Sequence, residues 1–537
     1  MPPSEQPEKI EDFDKTMYLE ILRENSPMKR YVSRGDMPDS IDIEGPHEDV
    51  DRALYRVLRF VMEDGTPRFQ PILGSAGMGK THLFWALKDR EKTFEKGQYL
   101  AVYVPSPPAP IRVPLHFHAC LVDEAGEKLF ENAVDMLITK FGGLKGVTHE
   151  IYDYSYALER LLVDYPGISA DVVKVILRYR LDPAHRDLAR RWLFGDALSD
   201  DEIDKLDVRT ILEEDDVTLA TLKLLLEGSE VPIVLFIDEM EGPYNTHGVE
   251  GERHFLEVIK RLYNECKNVL IVTSCLTEIW DRIYEIADAP TRSRMEPVVS
   301  LRHFTKEDIG EFISETMSKY WSEQNIDAPP SLLFPLDEND LSEAFTESEG
   351  NPREAIRFVI NRIDSILFGE SAEPIEEQAD YVIKLTASVV ISAIAKALEI
   401  VGKKSGVSVQ LVVAKGVANK QATAVLQLEK DGQSHQVCID VANVKDWNRS
   451  GGVAAYYSVK RLQKMLDSKE ADLCIVAVPE ETSGAKFQAL SDDIGEKLKT
   501  LRFTEETATS LVERATQNKL IKNQIESFKD IITSLFE

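Results

Sequence analysis

Gly74-Ser75-Ala76-Gly77-Met78-Gly79-Lys80-Thr81 is the stretch on which the reading of this chain turns. Its pattern, G-x-x-x-x-G-K-T, is that of a phosphate-binding loop. Glycines let the backbone curl so that successive N–H groups point at a polyphosphate. Lys80 brings a compact positive charge to the β- and γ-phosphates, and the Thr81 hydroxyl is suited to Mg²⁺. The flanks agree. Ile72 and Leu73 close an apolar run, and His82 to Leu87 open a helix whose N-terminus faces the anion. Gly74, Ser75, Ala76, Gly77, Met78, Gly79, Lys80, Thr81 and His82 are therefore the candidate nucleotide-binding residues. Pro71 removes a ladder donor and predicts a short strand before the loop.

Working outward, Ile233-Val234-Leu235-Phe236-Ile237 is a continuous apolar run, expected of a strand buried on both faces of a parallel sheet. It ends in Asp238-Glu239. After a phosphate loop, such an ending assigns Mg²⁺ to Asp238 with Thr81, and activation of a water to Glu239. The two segments together predict ATP and Mg²⁺ as cofactors and ATP hydrolysis as the activity.

The chain has 537 residues, enough for two to four domains, and a formal charge of -30. That charge argues against indiscriminate nucleic-acid binding by the whole surface and leaves room for a local basic patch. Five widely spaced cysteines without a C-x-x-C pair predict a reduced, cytoplasmic setting and no zinc site. The polar N-terminus does not read as a signal peptide. Residues 385–401, the most apolar segment, contain Lys396 and read as a buried helix rather than a membrane span.

The fold class predicted is α/β. Residues 1–40 read as a mobile N-terminal arm, and 41–300 as a phosphate-loop core with a helical insert at about 150–228. Residues 301–368 read as a helical lid, 369–380 as a linker, and 381–537 as a smaller C-terminal α/β domain. Helices are expected at 47–64, 249–265, 306–320 and 353–368, and strands at 98–104 and 268–272. The C-terminal domain is expected to run helix, three strands, helix, strand, then terminal helices.

Four features resemble the AAA+ superfamily, and within it the origin-recognition initiator-like and signal-transducing (STAND) ATPases, over about residues 40–365. They are the compact phosphate loop, Asp238-Glu239, Thr273-Ser274 after the next strand, and Gly350-Asn351-Pro352-Arg353-Glu354. The resemblance implies a P-loop NTPase sheet with a helical lid. It makes Thr273 or Ser274 a sensor of the γ-phosphate, and Arg353 a lid arginine reaching back to the nucleotide. Either assignment has a plain alternative, a strand end and a helix start respectively. Arg292 and Arg294 lie where the family carries an arginine that acts on a neighbouring subunit's ATP, which implies a homo-oligomer. Sequence leaves open which of the two acts. The segment from Arg191 to Gly195, with Leu198 and Glu202, resembles an insert of BREX-type phage-defence ATPases. The role implied is a switch or motor acting on DNA or a DNA-processing partner, in phage defence or DNA maintenance, with no membrane.

The C-terminal order resembles a degenerate PD-(D/E)xK nuclease core. Lys445 stands where that fold's lysine belongs, Asn443 replaces its second acid, and the strand before offers no first acid. Asp440 alternates to the other side of the strand. The resemblance implies a retained fold used for binding, with Lys460, Arg461 and Lys464 as a basic helix face. An ATP-gated nuclease and a non-catalytic ATP-binding scaffold are the alternatives.

Overall fold

The computed structural model describes residues 15–28, 41–93, 98–107, 111–140, 169–196, 198–369, 385–412, 424–444 and 446–536. Strands β1 (Arg68–Leu73), β2 (Leu100–Pro105), β3 (Ile233–Asp238), β4 (Val269–Cys275) and β5 (Val299–Ser300) form a parallel sheet in the order β2-β3-β4-β1-β5. The apolar runs of β3 and β4 are buried throughout because helices cover both faces. Alternate side chains separate cleanly. Leu235, Ile237 and Ile271 enter one core, while Val234, Phe236, Leu270 and Val272 enter the other.

β1 keeps six residues despite Pro71. The carbonyls of Phe69 and Leu73 accept from Glu296 and Leu301, on the β5 side, so Pro71 turns the same way. Pairing with β5 covers Ile72 and Leu73 and not Pro71, and the Gln70 side-chain amide donates to Pro71 O and Pro297 O there. The missing donor thus falls on the short side of the strand.

Helix α1 (Lys15–Glu24) precedes α2 (Glu48–Asp64), which buries Val50, Leu54, Val57, Leu58 and Val61 as the periodicity predicts. Helix α3 (Lys80–Arg90) follows the loop. Among the described residues, six helices then separate β2 from β3: α4 (Val113–Ala125), α5 (Lys128–Lys140), α6 (Ala170–Leu181), α7 (Arg186–Leu193), α8 (Asp200–Lys205) and α9 (Asp215–Gly228). Residues 141–168 of the expected insert lie outside the described residues. The rest is helical, and it is no separate body: Val172, Leu193 and Val217 share one cluster with Leu235 and Phe255. Within it, Arg191 pairs with Glu202 at 2.6 Å, and Ser199 and Glu202 form a capping box. These contacts give the segment behind the phage-defence resemblance a structural job.

Helix α10 (Gly242–Glu265) starts earlier than expected and is broken at Gly248, whose φ is 62°. Helices α11 (Trp280–Ile286) and α12 (Ala289–Arg292) lead to β5. The lid is α13 (Lys306–Gln324), α14 (Glu338–Ser348) and α15 (Pro352–Phe368). Of the expected mobile arm, residues 15–28 are described, and these are docked on the lid. α1 packs on the lid through buried Leu22, and Tyr18 meets Trp321 edge-on at 5.2 Å. The Tyr320 hydroxyl donates to the carbonyls of Ile21 and Asn25.

The C-terminal domain runs α16 (Ala387–Ser405), β6 (Ser408–Val412), β7 (Ala424–Lys430), β8 (Gln433–Val441), α17 (Gly452–Asp467), β9 (Leu473–Pro479), α18 (Ala485–Ile494), β10 (Leu498–Phe503), α19 (Glu505–Thr516) and α20 (Lys522–Phe536). Its sheet order is β10-β9-β8-β7-β6, with β6 to β8 antiparallel and β8 to β10 parallel. β10 was expected to be helical. Residues 370–384, which hold most of the expected linker, and Lys445 lie outside the described residues.

One further expectation fails in part: the basic helix face loses Arg461. Asp440 is fully buried and pairs with Arg112 and Arg461, each at 2.6 Å. Arg461 also pairs with Glu213 of the insert, so it belongs to an interior ion cluster and not to a solvent-facing basic face. Asn443 donates to the carbonyl of Gly195, again across to the insert. The five cysteines are buried thiols outside any disulfide. Among the described residues no helix is long and apolar enough to cross a membrane.

Candidate functional site

Because β4 lies between β1 and β3, the phosphate loop and the acids of β3 flank its C-terminal end. Gly77 and Gly79 hold φ of 83° and 85°, which only glycine adopts without strain. A Cβ on Gly77 would also meet Asn351 Oδ1 at 2.6 Å, because the lid approaches that closely. Asn351 Nδ2 donates to Ala76 O (2.8 Å) and the Arg353 N–H to Gly77 O (3.2 Å). The Lys80 ammonium is turned onto the loop itself, donating to Gly74 O (2.8 Å) and Ser75 O (3.1 Å).

Asp238 is the centre of the site. It is 3% exposed and accepts from the Thr81 hydroxyl at 2.6 Å, from the Tyr103 hydroxyl at 2.9 Å and from the Ser274 hydroxyl. The N–H of Glu239 donates to the same carboxylate (3.1 Å) and to Ser274 Oγ (3.3 Å). That arrangement holds Glu239 at a φ of 55°, unusual for a non-glycine residue. Its side chain opens onto the cavity. Cleft walls that crowd out bulk water raise its carboxyl, and the charges of Asp238 and Glu241 add to this against Lys80 and Arg353. Desolvation lowers Lys80, opposed first by Glu241 and then by Asp238.

The cavity is about 660 Å³. Lys80, Thr81, Asp238, Glu239 and Arg353 line its polar end, while Ile43, Phe312 and Ile356 line an apolar end between the N-terminal segment and the lid. Thr81 and Asp238 are adjacent hard oxygen donors, the chemistry that suits Mg²⁺. Among the described residues no group of three acids, histidines or cysteines could hold a metal unaided. A Mg²⁺ here would be shared with phosphate oxygens and water, the usual arrangement for that ion.

Of the two sensor candidates, Ser274 touches Asp238. Thr273 faces the other side of β4, is fully buried and leaves its hydroxyl without a partner. Both lie inside β4, which runs through Cys275 rather than ending at Val272. The His82 ring is held by Asp42 at 3.0 Å. Arg292 and Arg294 are not brought to this cavity. Arg294 bonds Asn264 Oδ1 and lies over Tyr263, Arg292 lies over Tyr284, and Met295 bridges Phe69 at the start of β1, the end away from the loop. Sequence reasoning missed Tyr103 and Glu241. Tyr103 carries no signal of its own, since its role comes from the pairing of β2 with β3.

A parallel sheet with the phosphate loop on β1, paired acids on β3 and β4 between them defines an α/β fold of the P-loop NTPase type with a helical lid. No protein-family model matches the chain, and no curated protein does. Solved structures similar to it include the Walker-type ATPase of Pyrococcus abyssi, at 15% identity over 70% of this chain and 76% of that one, TM-score 0.32. The Aeropyrum pernix ORC1 protein in complex with DNA is similar at 13% identity over 68% and 69%, TM-score 0.32. Cdc6p from Pyrobaculum aerophilum is similar at 12% identity over 93% and 96%, TM-score 0.28. Likeness at this level bears no weight here, and the fold assignment rests on the strand order and the loop.

Proposed function

We propose that this chain is an ATP-hydrolysing switch or motor of the AAA+/STAND kind that acts on DNA or a DNA-processing partner. The observation that carries the reading is the 2.6 Å contact between Thr81 and Asp238, which joins two motifs separated by 157 positions in the chain. In this reading the loop N–H groups and Lys80 grip a triphosphate, and Arg353 approaches it from the lid. Mg²⁺ held by Thr81 and Asp238 would supply charge neutralisation at the phosphates. Glu239, open to the cavity and raised in basicity by its surroundings, orients the attacking water and takes its proton.

The DNA part rests on charge distribution. Residues 385–537 carry 20 Lys and Arg against 19 Asp and Glu, so the deficit of the -30 chain lies before them. A near-neutral C-terminal domain beside an acidic body is the side on which a polyanion meets least repulsion. A homo-oligomer with Arg292 or Arg294 acting on a neighbour's ATP and a place in phage defence or DNA maintenance rest on the sequence resemblance alone, and a cytoplasmic setting rests on cysteine usage. The nuclease alternative rests on Lys445, which lies outside the described residues, and on Asn443, which donates to the carbonyl of Gly195.

Binding and turnover of Mg-ATP by the purified chain, with and without duplex DNA, test the proposal. Lys80→Ala should abolish binding. Glu239→Gln should retain ATP while turnover falls by roughly 10²- to 10⁴-fold, the usual worth of a general base. Unchanged turnover in Glu239→Gln removes Glu239 as the base, and absent ATP binding by the folded wild type removes the whole reading.

A further inference from the structure

Helix α10 follows the acidic end of β3 and is built in two arms. Gly248 separates them at φ 62° and ψ -154°, a backbone region essentially restricted to glycine. Among the described residues no atom lies within 4 Å of where its Cβ would stand, so the break is set by the backbone and not by crowding. The second arm is anchored, since Phe255, Ile259 and Leu262 share the main core with Trp280 and Ile283 of α11. The first arm is joined to the residues that follow β3. The Gly242 N–H donates to Glu239 O at 2.9 Å, and the Met240 N–H to Ser274 O at 3.0 Å. A Cβ on Gly242 would meet Ser106 Oγ at 2.8 Å, so this turn is wedged against the exit of β2.

Arg282 of α11 meets both arms. Its guanidinium lies over the Tyr244 ring of the first arm, 3.5 Å from the centroid, and its Nε stands 3.6 Å from Glu252 Oε2 of the second. Glu252 is fully buried, and neither of its oxygens has a hydrogen-bond partner among the described residues. A carboxylate so placed is costly unless a cation answers it, and Arg282 is that cation. The Nε and Nη2 of Arg282 are likewise buried without a hydrogen bond, so what fixes this end of the side chain is the flat face of the ring and the opposite charge. A planar guanidinium serves both contacts at once, which a compact ammonium does not.

We propose that Arg282 is a positioning residue for Glu239: it clasps the two arms of α10 across a hinge at Gly248, and the clasp keeps the first arm, whose first turn is bonded to Glu239, in the geometry that aims that carboxylate at the cavity. Arg282 touches neither nucleotide nor water in this role, and no covalent bond is made or broken. Glu239 holds a φ of 55°, a conformation that lasts only while its surroundings enforce it. Opening at Gly248 swings Tyr244 off Arg282 and lets Glu239 relax. The phosphate loop and Lys80 belong to other elements, so nucleotide is gripped in either state and turnover alone answers to the clasp.

The inference rests on the nucleotide reading above, and the test separates the two. Full-length wild type, Tyr244→Leu, Tyr244→Phe and Arg282→Lys are compared by hydrogen exchange and by ATP turnover. Leucine removes the ring, and lysine keeps a cation for Glu252 without a face to stack. Either change should speed exchange of the amides of residues 242–248 by about ten-fold, within the worth of a partly desolvated cation–π contact. In both variants kcat should fall by about ten-fold while KM stays within about two-fold of wild type. Tyr244→Phe keeps the ring and should match wild type in both readings. Residues 249–265 should exchange at the wild-type rate throughout. Unchanged exchange at 242–248 in either Tyr244→Leu or Arg282→Lys overturns the proposal. Unchanged kcat beside faster exchange overturns it too, as does faster exchange through 249–265 with a raised KM, which marks a contact that only supports the fold. A wild type that turns over no ATP removes the nucleotide reading and the role given to Glu239, while exchange measured without nucleotide still decides the clasp.

Discussion

His47 shows how single side chains secure the entrance to the site. It is 4% exposed and lies between two carboxylates, Nε2 at 2.8 Å from Asp42 and Nδ1 at 2.9 Å from Asp51. Asp42 also binds His82 and Arg90 of α3, so this cluster fastens the segment before α2 onto the helix that follows the phosphate loop. Burial would lower the imidazole, but Asp42 and Asp51 outweigh it and hold it up to about 9. A basic group raised from 6.5 stabilises the fold fully below pH 6.5 and loses that contribution as pH rises through 9. Wild type should therefore lose stability from pH 6.5 to 9.5 relative to His47→Gln, by about 3 kcal/mol at most. Chemical denaturation of both proteins at the two pH values checks this. The loop, Asp238 and Glu239 were legible in sequence because their spacing is local and their chemistry admits few residue types. Ser274 was reached through the family resemblance, while Tyr103 was not legible, since an aromatic in β2 meets Asp238 only through the pairing of β2 with β3.

At the scale of elements, periodicity succeeded where burial is one-sided and failed where it is slight. Helix α2 presents five buried aliphatics on a polar helix, a signal that needs no neighbours to read. Strand β10 is an edge, Leu-Lys-Thr-Leu-Arg-Phe, with one buried residue and apolar side chains that do not alternate along its whole length, and its six-residue pairing with β9 makes it a strand. Helix α1 likewise buries a single residue completely, and its charge suggested an arm. Its docking is nonetheless specific, because Arg23 Nε donates to Leu367 O, and Tyr18 and Tyr320 supply hydroxyl contacts. Leu22→Ala should cost about 2–4 kcal/mol at that contact, the usual range for truncating a buried leucine. Hydrogen exchange should accelerate in α1 and at its face on α13, with α3 unchanged. Because Asn25 to Met28 line the cavity, ATP affinity should weaken as well.

At the scale of the molecule, a buried ion cluster joins the two α/β units. Asp440 of β8 is wholly buried, with Oδ1 and Oδ2 shared between Arg112 and Arg461, and Arg461 extends to Glu213. Arg112 is itself 1% exposed and held at a φ of 53°, a conformation a bulky residue keeps only when its surroundings enforce it. The sequence reading failed here for a definite reason. Helical spacing puts Arg461 beside Lys460 and Lys464, and nothing local records that a carboxylate from another strand and a glutamate from the insert close over it. Six residues before Arg112, the Ser106 N–H donates to the Asp238 carbonyl. Asp440→Asn keeps shape and removes the charge that compensates two buried guanidiniums. Breaking one partner of such a buried set costs about 3–5 kcal/mol, against about 1 kcal/mol or less for an exposed pair. Thermal unfolding of Asp440→Asn should therefore separate into two transitions, the earlier belonging to residues 385–536, while binding of Mg-ATP at the loop stays within about two-fold of wild type. A single unshifted transition would mean that the cluster contributes nothing to the union of the units, and weakened nucleotide binding would mean that the cluster is felt at the loop as well.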